Sequence, residues 1–173
     1  MKVAITGHTS GLGKALTTVF SNHIGFSRET GFDLNFPEIR KEVISTVQDC
    51  DVFINNAPIG WNQIALLYEV WHSWQDKNKM IINVGSNSAD YIHNFSKPYS
   101  VQKKALEQAA LQLQHSFKPC KVMLLKPGYI DTPSVSEIDA PKINPNELAT
   151  FIKELVEQKT SSFWIPTITI YPK

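Results

Sequence analysis

The sequence predicts an α/β fold, a doubly wound parallel sheet in a single domain, on three observations. Short β-branched runs recur along the chain, amphipathic stretches of helical length separate them, and 173 residues at 42% hydrophobic suffice for one core and not comfortably for two. Strands joined through helices imply right-handed crossovers, and therefore a parallel sheet covered on both faces.

The elements follow in order. Val3–Thr6 is the first strand candidate, and Leu12–Ser21 the first helical pattern behind a glycine-rich turn. His23–Ser27 is extended in character, and Pro37–Val47 opens on a proline, which suits a first helical turn. Asp51–Ala57 is a buried strand, then Asn62–Trp74 a helix rich in Leu and Trp. Met80–Gly85 and Lys121–Lys126 bracket the longest helical pattern, Tyr99–Ser116. The stretch Asp131–Asn144, with Pro133 and Pro141 and no period, reads as a loop. Pro145–Gln158 and Phe163–Ile170 supply the last helix and strand.

Composition excludes several classes. Seventeen basic and sixteen acidic residues leave a net charge of +1, so no field marks the chain for nucleic acid or an anionic membrane. Cys50 and Cys120 stand alone, without metal-ligand spacing, which fits two small core residues in a reduced compartment, and no metal is expected. The chain runs from Met1-Lys2 directly into Val3-Ala4-Ile5, and no apolar run approaches the ~18 residues of a membrane span. The expectation is a soluble, cytoplasmic protein.

Three local features carry chemistry. In TGHTSGLGK, Gly7, Gly11 and Gly13 lie between a strand and a helix, where backbone N–H groups and the helix N-terminus can receive a pyrophosphate. DVFINNAP and INVGSNSAD put Asn55, Asn56, Ala57 and Ser86 at strand carboxyl ends, facing the crevice where open parallel sheets bind ligands. In PYSVQKK, Tyr99 and Lys103 are four apart and share a helix face, behind Pro98. By itself this pair is weak, since composition alone yields roughly 0.4 such matches. Order and spacing across the pieces make the signal.

Together the pieces resemble the short-chain dehydrogenase/reductase family over most of the chain. TGHTSGLG is similar to its TGxxxGxG turn, NNAP to its NNAG, Ser86 with Tyr99 and Lys103 to its Ser–Tyr–Lys triad, and PGYIDT (127–132) to its PG-x-x-x-T segment. Asn62, at the start of a helical stretch 24 positions before Ser86, takes the place of the family's fourth catalytic residue. The resemblance implies a Rossmann-type fold and an NAD(P)-dependent oxidoreductase acting on a small carbonyl or alcohol. Its cofactor residues would be Gly7, His8, Ser10, Gly11, Leu12, Gly13, Asn56, Ala57, Tyr99, Lys103, Pro127, Gly128, Ile130 and Thr132, with Asp33 and Leu34 flanking the adenine.

The residue types make chemical sense. A phenol titrates near ~10, about three units above neutrality, so general acid/base work needs roughly 4 kcal/mol in favour of the anion. An ammonium at about 4 Å and an effective dielectric of about 20 supplies that amount. By resemblance Lys103 also holds the nicotinamide ribose, Ser86 binds the substrate oxygen and Asn62 holds a proton-relaying water. Tyr91, His93, Phe95 and Tyr129 are candidates for the substrate wall.

Departures from the family pattern are instructive. Gly85 replaces a usual serine and Pro58 the glycine of NNAG. Only four residues separate Arg28 from Asp33, so a second crossover helix has no room and residues 32–34 make at most a stub of a strand. The sheet should be trimmed to about six or seven strands, with one cofactor edge less covered. Ser27-Arg28 ends the second strand, where NAD sites place a carboxylate and an arginine accommodates a 2′-phosphate, so NADP(H) is favoured over NAD(H). Two alternatives have weaker support. A nucleotide-sugar reductase or epimerase would need GxxGxxG and a C-terminal substrate domain, and a non-catalytic dinucleotide sensor would have lost triad residues. Apolar faces on the Asn62 and Tyr99 helices, through which family members pair, imply a homodimer or homotetramer.

Overall fold

A computed structural model describes residues 1–158 and 162–173. Its six strands are β1 (Val3–Thr6), β2 (His23–Phe26), β3 (Val52–Asn55), β4 (Met80–Val84), β5 (Lys121–Pro127) and β6 (Thr167–Ile170). They form one all-parallel sheet in the order β2-β1-β3-β4-β5-β6. Five helices connect them: α1 (Gly11–Val19), α2 (Pro37–Thr46), α3 (Trp61–Trp74), α4 (Pro98–Gln114) and α5 (Pro145–Glu157).

Strands buried on both faces read as continuous apolar runs, and alternate side chains divide between two cores. Ala4, Phe53, Ile81, Val122 and Leu124 face α2, α3 and α4, where they meet Val43, Leu66, Leu67, Trp74 and Leu106. Val3, Ile5, Val52, Ile54, Ile82, Met123 and Leu125 face α1 and α5, against Leu12, Leu16, Leu148 and Ile152. Each Val, Leu, Ile, Met or Phe among them contributes about 1.5–3 kcal/mol of apolar burial. Trp74, fully buried and edge-on to Phe53 at 6.3 Å, is the largest.

Two element predictions shift for identifiable reasons. The last strand begins at Thr167, not Phe163, because Pro166 has no N–H and enters the ladder only through its carbonyl, which accepts Leu124 N at 2.8 Å. The stub at 32–34 is not a strand. From β2 the chain takes a 3-10 turn at Arg28–Thr30 and passes Gly31 (φ 90°) into α2, leaving β2 as the sheet edge.

That shortened edge is held by a buried cation. Arg40 of α2 is 6% exposed and donates to Glu69 of α3 at 2.9 Å, and also to Leu34 O, Asn35 O and Asn62 Oδ1. Its fork-shaped guanidinium thus ties the loop before α2 to α3, a geometry a lysine could not reproduce. The loop 131–144 is closed by an Ile130–Ile143 bridge.

Candidate active site

The carboxyl ends of β1, β3, β4 and β5 collect most of the predicted residues. At β1, Gly7 has φ 68° and donates its N–H to Phe26 O at 2.7 Å, while a Cβ on Gly13 would lie 1.9 Å from Gly7 O. Only glycine permits that approach of helix to strand. Ser10 is the N-cap of α1 but makes no side-chain cap bond, and no acidic residue lies in the first turn. The free N–H groups and positive end of α1 therefore face the crevice without a side-chain acceptor, a cradle suited to a pyrophosphate.

Neighbouring elements close around this turn. Thr6 Oγ1 accepts from Asn56 N and Ala57 N, and Asn56 Nδ2 donates to Thr6 O at 2.9 Å, locking the β1 and β3 exits together. Thr132 lies over Gly11, where a built Cβ would sit 2.9 Å from its methyl. Pro127 ends β5, Gly128 N donates to Ile170 O, and Ile130 leads back to the bridge. His8 packs its ring on Gly25 of β2, and its Nδ1 is buried with no hydrogen-bond partner. These features fit a dinucleotide.

At four predicted cofactor positions the side chain is buried or already engaged. Leu12 is 5% exposed and lies in the α1/α5 core, so only its backbone faces the turn. Leu34 is likewise in the core at 2% exposed, with its carbonyl taken by Arg40. Asp33 Oδ1 caps its own loop by accepting from Asn35 N and Nδ2. Ser27 is buried and engaged with Thr30 in a reciprocal capping box, which leaves exposed Arg28 as the polar group at the end of β2.

At β4 and α4 the structure brings Ser86, Tyr99 and Lys103 together. Ser86 leaves β4 two residues past its end, and its hydroxyl reaches the Tyr99 side chain in the first turn of α4. Lys103 lies one turn on, 5% exposed, with Nζ 5.5 Å from the Tyr99 ring centroid. A Ser88–Ser100 hydroxyl pair at 2.6 Å fastens the turn after Ser86 to α4. Buried Lys126 of β5 does the same more strongly, bonding Asp90 of that turn and Glu107 of α4.

Electrostatics depart from the sequence expectation. Burial lowers the Lys103 ammonium to about 8. Tyr99 is raised rather than lowered: desolvation pushes it up and the Ser86 hydrogen bond opposes that. With 43% of Tyr99 open to water the desolvation is partial. Lys103 does not depress it because the ammonium lies over the ring and spends its N–H groups on Val84 O and Gln63 Oε1, both at 2.8 Å.

Asn62 is not part of this arrangement. Its amide joins Arg40 and Asn35 at the shortened edge, and the next residue, Gln63, is the one that reaches Lys103. On an α-helix adjacent residues point about 100° apart, and Gln63 lies on the stripe that continues through Leu67, Val70 and Trp74. A polar residue on that buried stripe was the available signal.

A small cavity lined by Pro58, Gly60, Gln63, Tyr99, Gln102 and Lys103 opens beside the triad. A roomier one between Leu113, Cys120 and Trp164 lies at the amino ends of β4 and β5, and contains none of the predicted site residues. Tyr91, Phe95 and Tyr129 are exposed, and His93 packs on Phe95 at 5.4 Å. Among the described residues no His/Cys/Asp/Glu cluster could hold a metal, and no helix is long and apolar enough to cross a membrane.

No family model and no curated protein sequence matches the chain. Solved structures do. A serine dehydrogenase complexed with NADP+ aligns with TM-score 0.81 and 16% identity, over 98% of this chain and 94% of that one. A short chain dehydrogenase from Burkholderia cenocepacia J2315 in complex with NADP gives 0.78 and 19%, over 99% and 87%. The 3-alpha-hydroxysteroid dehydrogenase from Pseudomonas sp. B-0831 complexed with NADH gives 0.76 and 17%, over 99% and 94%. The chain has the short-chain dehydrogenase/reductase fold.

Proposed function

We propose that this chain is an NAD(P)-dependent oxidoreductase of the short-chain dehydrogenase/reductase family, reducing a small carbonyl compound or oxidising the corresponding alcohol, with NADP(H) preferred. The supporting observation is that Ser86, Tyr99 and Lys103 meet at the sheet's carboxyl edge beside the uncapped glycine-rich start of α1.

Backbone N–H groups from Gly7 to Gly13 would hold the pyrophosphate, and Arg28 the 2′-phosphate. Gly128, Ile130 and Thr132 would close over the nicotinamide side. A bound nicotinamide dinucleotide supplies or accepts the hydride. Tyr99 gives its hydroxyl proton to the carbonyl oxygen, and Ser86 donates a hydrogen bond to that oxygen. Lys103, one turn further along α4 with its ammonium over the Tyr99 ring, would hold the nicotinamide ribose. Tyr99 standing above its ordinary range, before cofactor is bound, fits a group that begins the reductive cycle protonated.

A panel of ketones, aldehydes and quinones, read at the reduced nicotinamide absorbance, tests the reading. Turnover with at least one class is expected, while tight NADPH binding without turnover would favour a dinucleotide sensor. Exposed Trp61 on α3 and Val101 on α4, with half-buried Ile64, Tyr68 and Ala105, support pairing of copies through these helices. Light scattering at micromolar concentration should give a dimer or tetramer. Buried, unpaired Cys50 and Cys120 fit a cytoplasmic setting.

A further inference from the structure

Gln63 is an amide on an otherwise apolar buried stripe, 2% exposed, and every polar atom of its side chain is engaged. Nε2 donates to Asn55 O at 2.8 Å and Val84 O at 3.2 Å, and Asn55 Nδ2 returns a bond to Gln63 O at 2.9 Å. With two carbonyls fixing the nitrogen end, the amide can be placed only one way round, and Oε1 must face Lys103 Nζ at 2.8 Å. Lys103 completes the set by donating to the same Val84 carbonyl. Asn55 continues the chain of buried amides to Asn83 Oδ1 at 3.0 Å, so the lysine is anchored to both β3 and β4.

We propose that Gln63 is the positioning residue for Lys103, holding its ammonium against β4 and facing the ring of Tyr99. The consequence for turnover rests on the oxidoreductase reading; the positioning itself does not. An amide acceptor stays neutral across the working range, so it favours the ammonium of a buried lysine without adding a second titrating group. The other groups around Lys103 agree with this assignment. Tyr99 is its titratable neighbour on α4, β4 offers a carbonyl and α3 the amide, and Glu107 is turned to Lys104 and Lys126. Burial works against the charge, and the Gln63 acceptor at 2.8 Å is placed to oppose that cost.

Two substitutions separate positioning from bulk structure. Gln63→Met keeps length and removes the acceptor; Gln63→Glu keeps shape and makes the acceptor anionic. The readout is the Lys103 titration, followed by NMR on lysine-labelled protein and assigned with Lys103→Arg. Relative to unmutated protein, the Met variant should titrate about one to two pH units lower and the Glu variant higher by at least as much. The alkaline limb of the turnover profile should move in the same two directions, which a loss of packing would not produce. Coincident titrations in the Met variant and the unmutated protein, both folded by circular dichroism, would overturn the proposal. If the Met variant does not fold, an unshifted Glu variant overturns it equally. Shifted titrations in a protein with no turnover on any carbonyl support the positioning role and defeat the oxidoreductase reading instead.

Discussion

Asn62 and Gln63 are neighbours on the first turn of α3, yet they serve regions built on different terms. Asn62 belongs to the shortened edge, where Arg40 gathers Glu69, Leu34 O, Asn35 O and Asn62 into one brace for a loop that replaces a crossover. Gln63 belongs to the end of the sheet that holds Tyr99, where Lys103, Gln63, Asn55 and Asn83 are all buried. The edge group carries partly open members, Glu69 and Asn62, and works as reinforcement. The interior chain is buried throughout, so each missing partner there leaves an unsatisfied polar group.

The comparison predicts effects of very different size and kind. Lys103→Ala removes a buried cation and its anchors, and should cut turnover by about 10²-fold or more while weakening cofactor binding. Steady-state kinetics and a NADPH fluorescence titration check both; an effect on turnover alone would detach Lys103 from the ribose. Arg28→Ala acts at the other region and should leave the folded protein intact. It removes a charge-assisted hydrogen bond worth about 1.5–3 kcal/mol, so NADPH should bind roughly 10- to 150-fold more weakly and NADH almost unchanged. Equal losses for the two cofactors would mean that Arg28 does not read the phosphate. Asn62→Ala is the smallest. It should cost about 1 kcal/mol in urea unfolding through Arg40 and Asn35, with turnover within about twofold. A large kinetic defect there would return Asn62 to the catalytic group and erase the contrast.

Much of the fold was legible because its signals are local. Short apolar runs of four to eight residues marked all six strands, and prolines marked the starts of α2, α4 and α5. Ser86, Tyr99 and Lys103 were legible because their spacing is fixed within one stretch of chain. What failed depended on contacts from elsewhere. Which of Asn62 and Gln63 points inward is a matter of helix phase, decided by Asn55 O and Val84 O on other strands. The expected pull of Lys103 on Tyr99 ignored the same Val84 carbonyl, which draws the ammonium over the ring. The engagement of Ser27 by Thr30, three residues on, was likewise not written in the spacing of the second strand. Arg40 sits in a helix whose sequence gives no hint of the loop it braces.

The most direct test of the account is the turnover of Tyr99→Phe, measured beside the unmutated protein on the best carbonyl of the panel with NADPH affinity determined for both. The substitution deletes the proton donor and little contact area, so activity should fall by about 10²- to 10⁴-fold with cofactor affinity nearly unchanged. A variant that binds NADPH and still turns over at more than about a tenth of the original rate would contradict the assignment of Tyr99 as the proton donor.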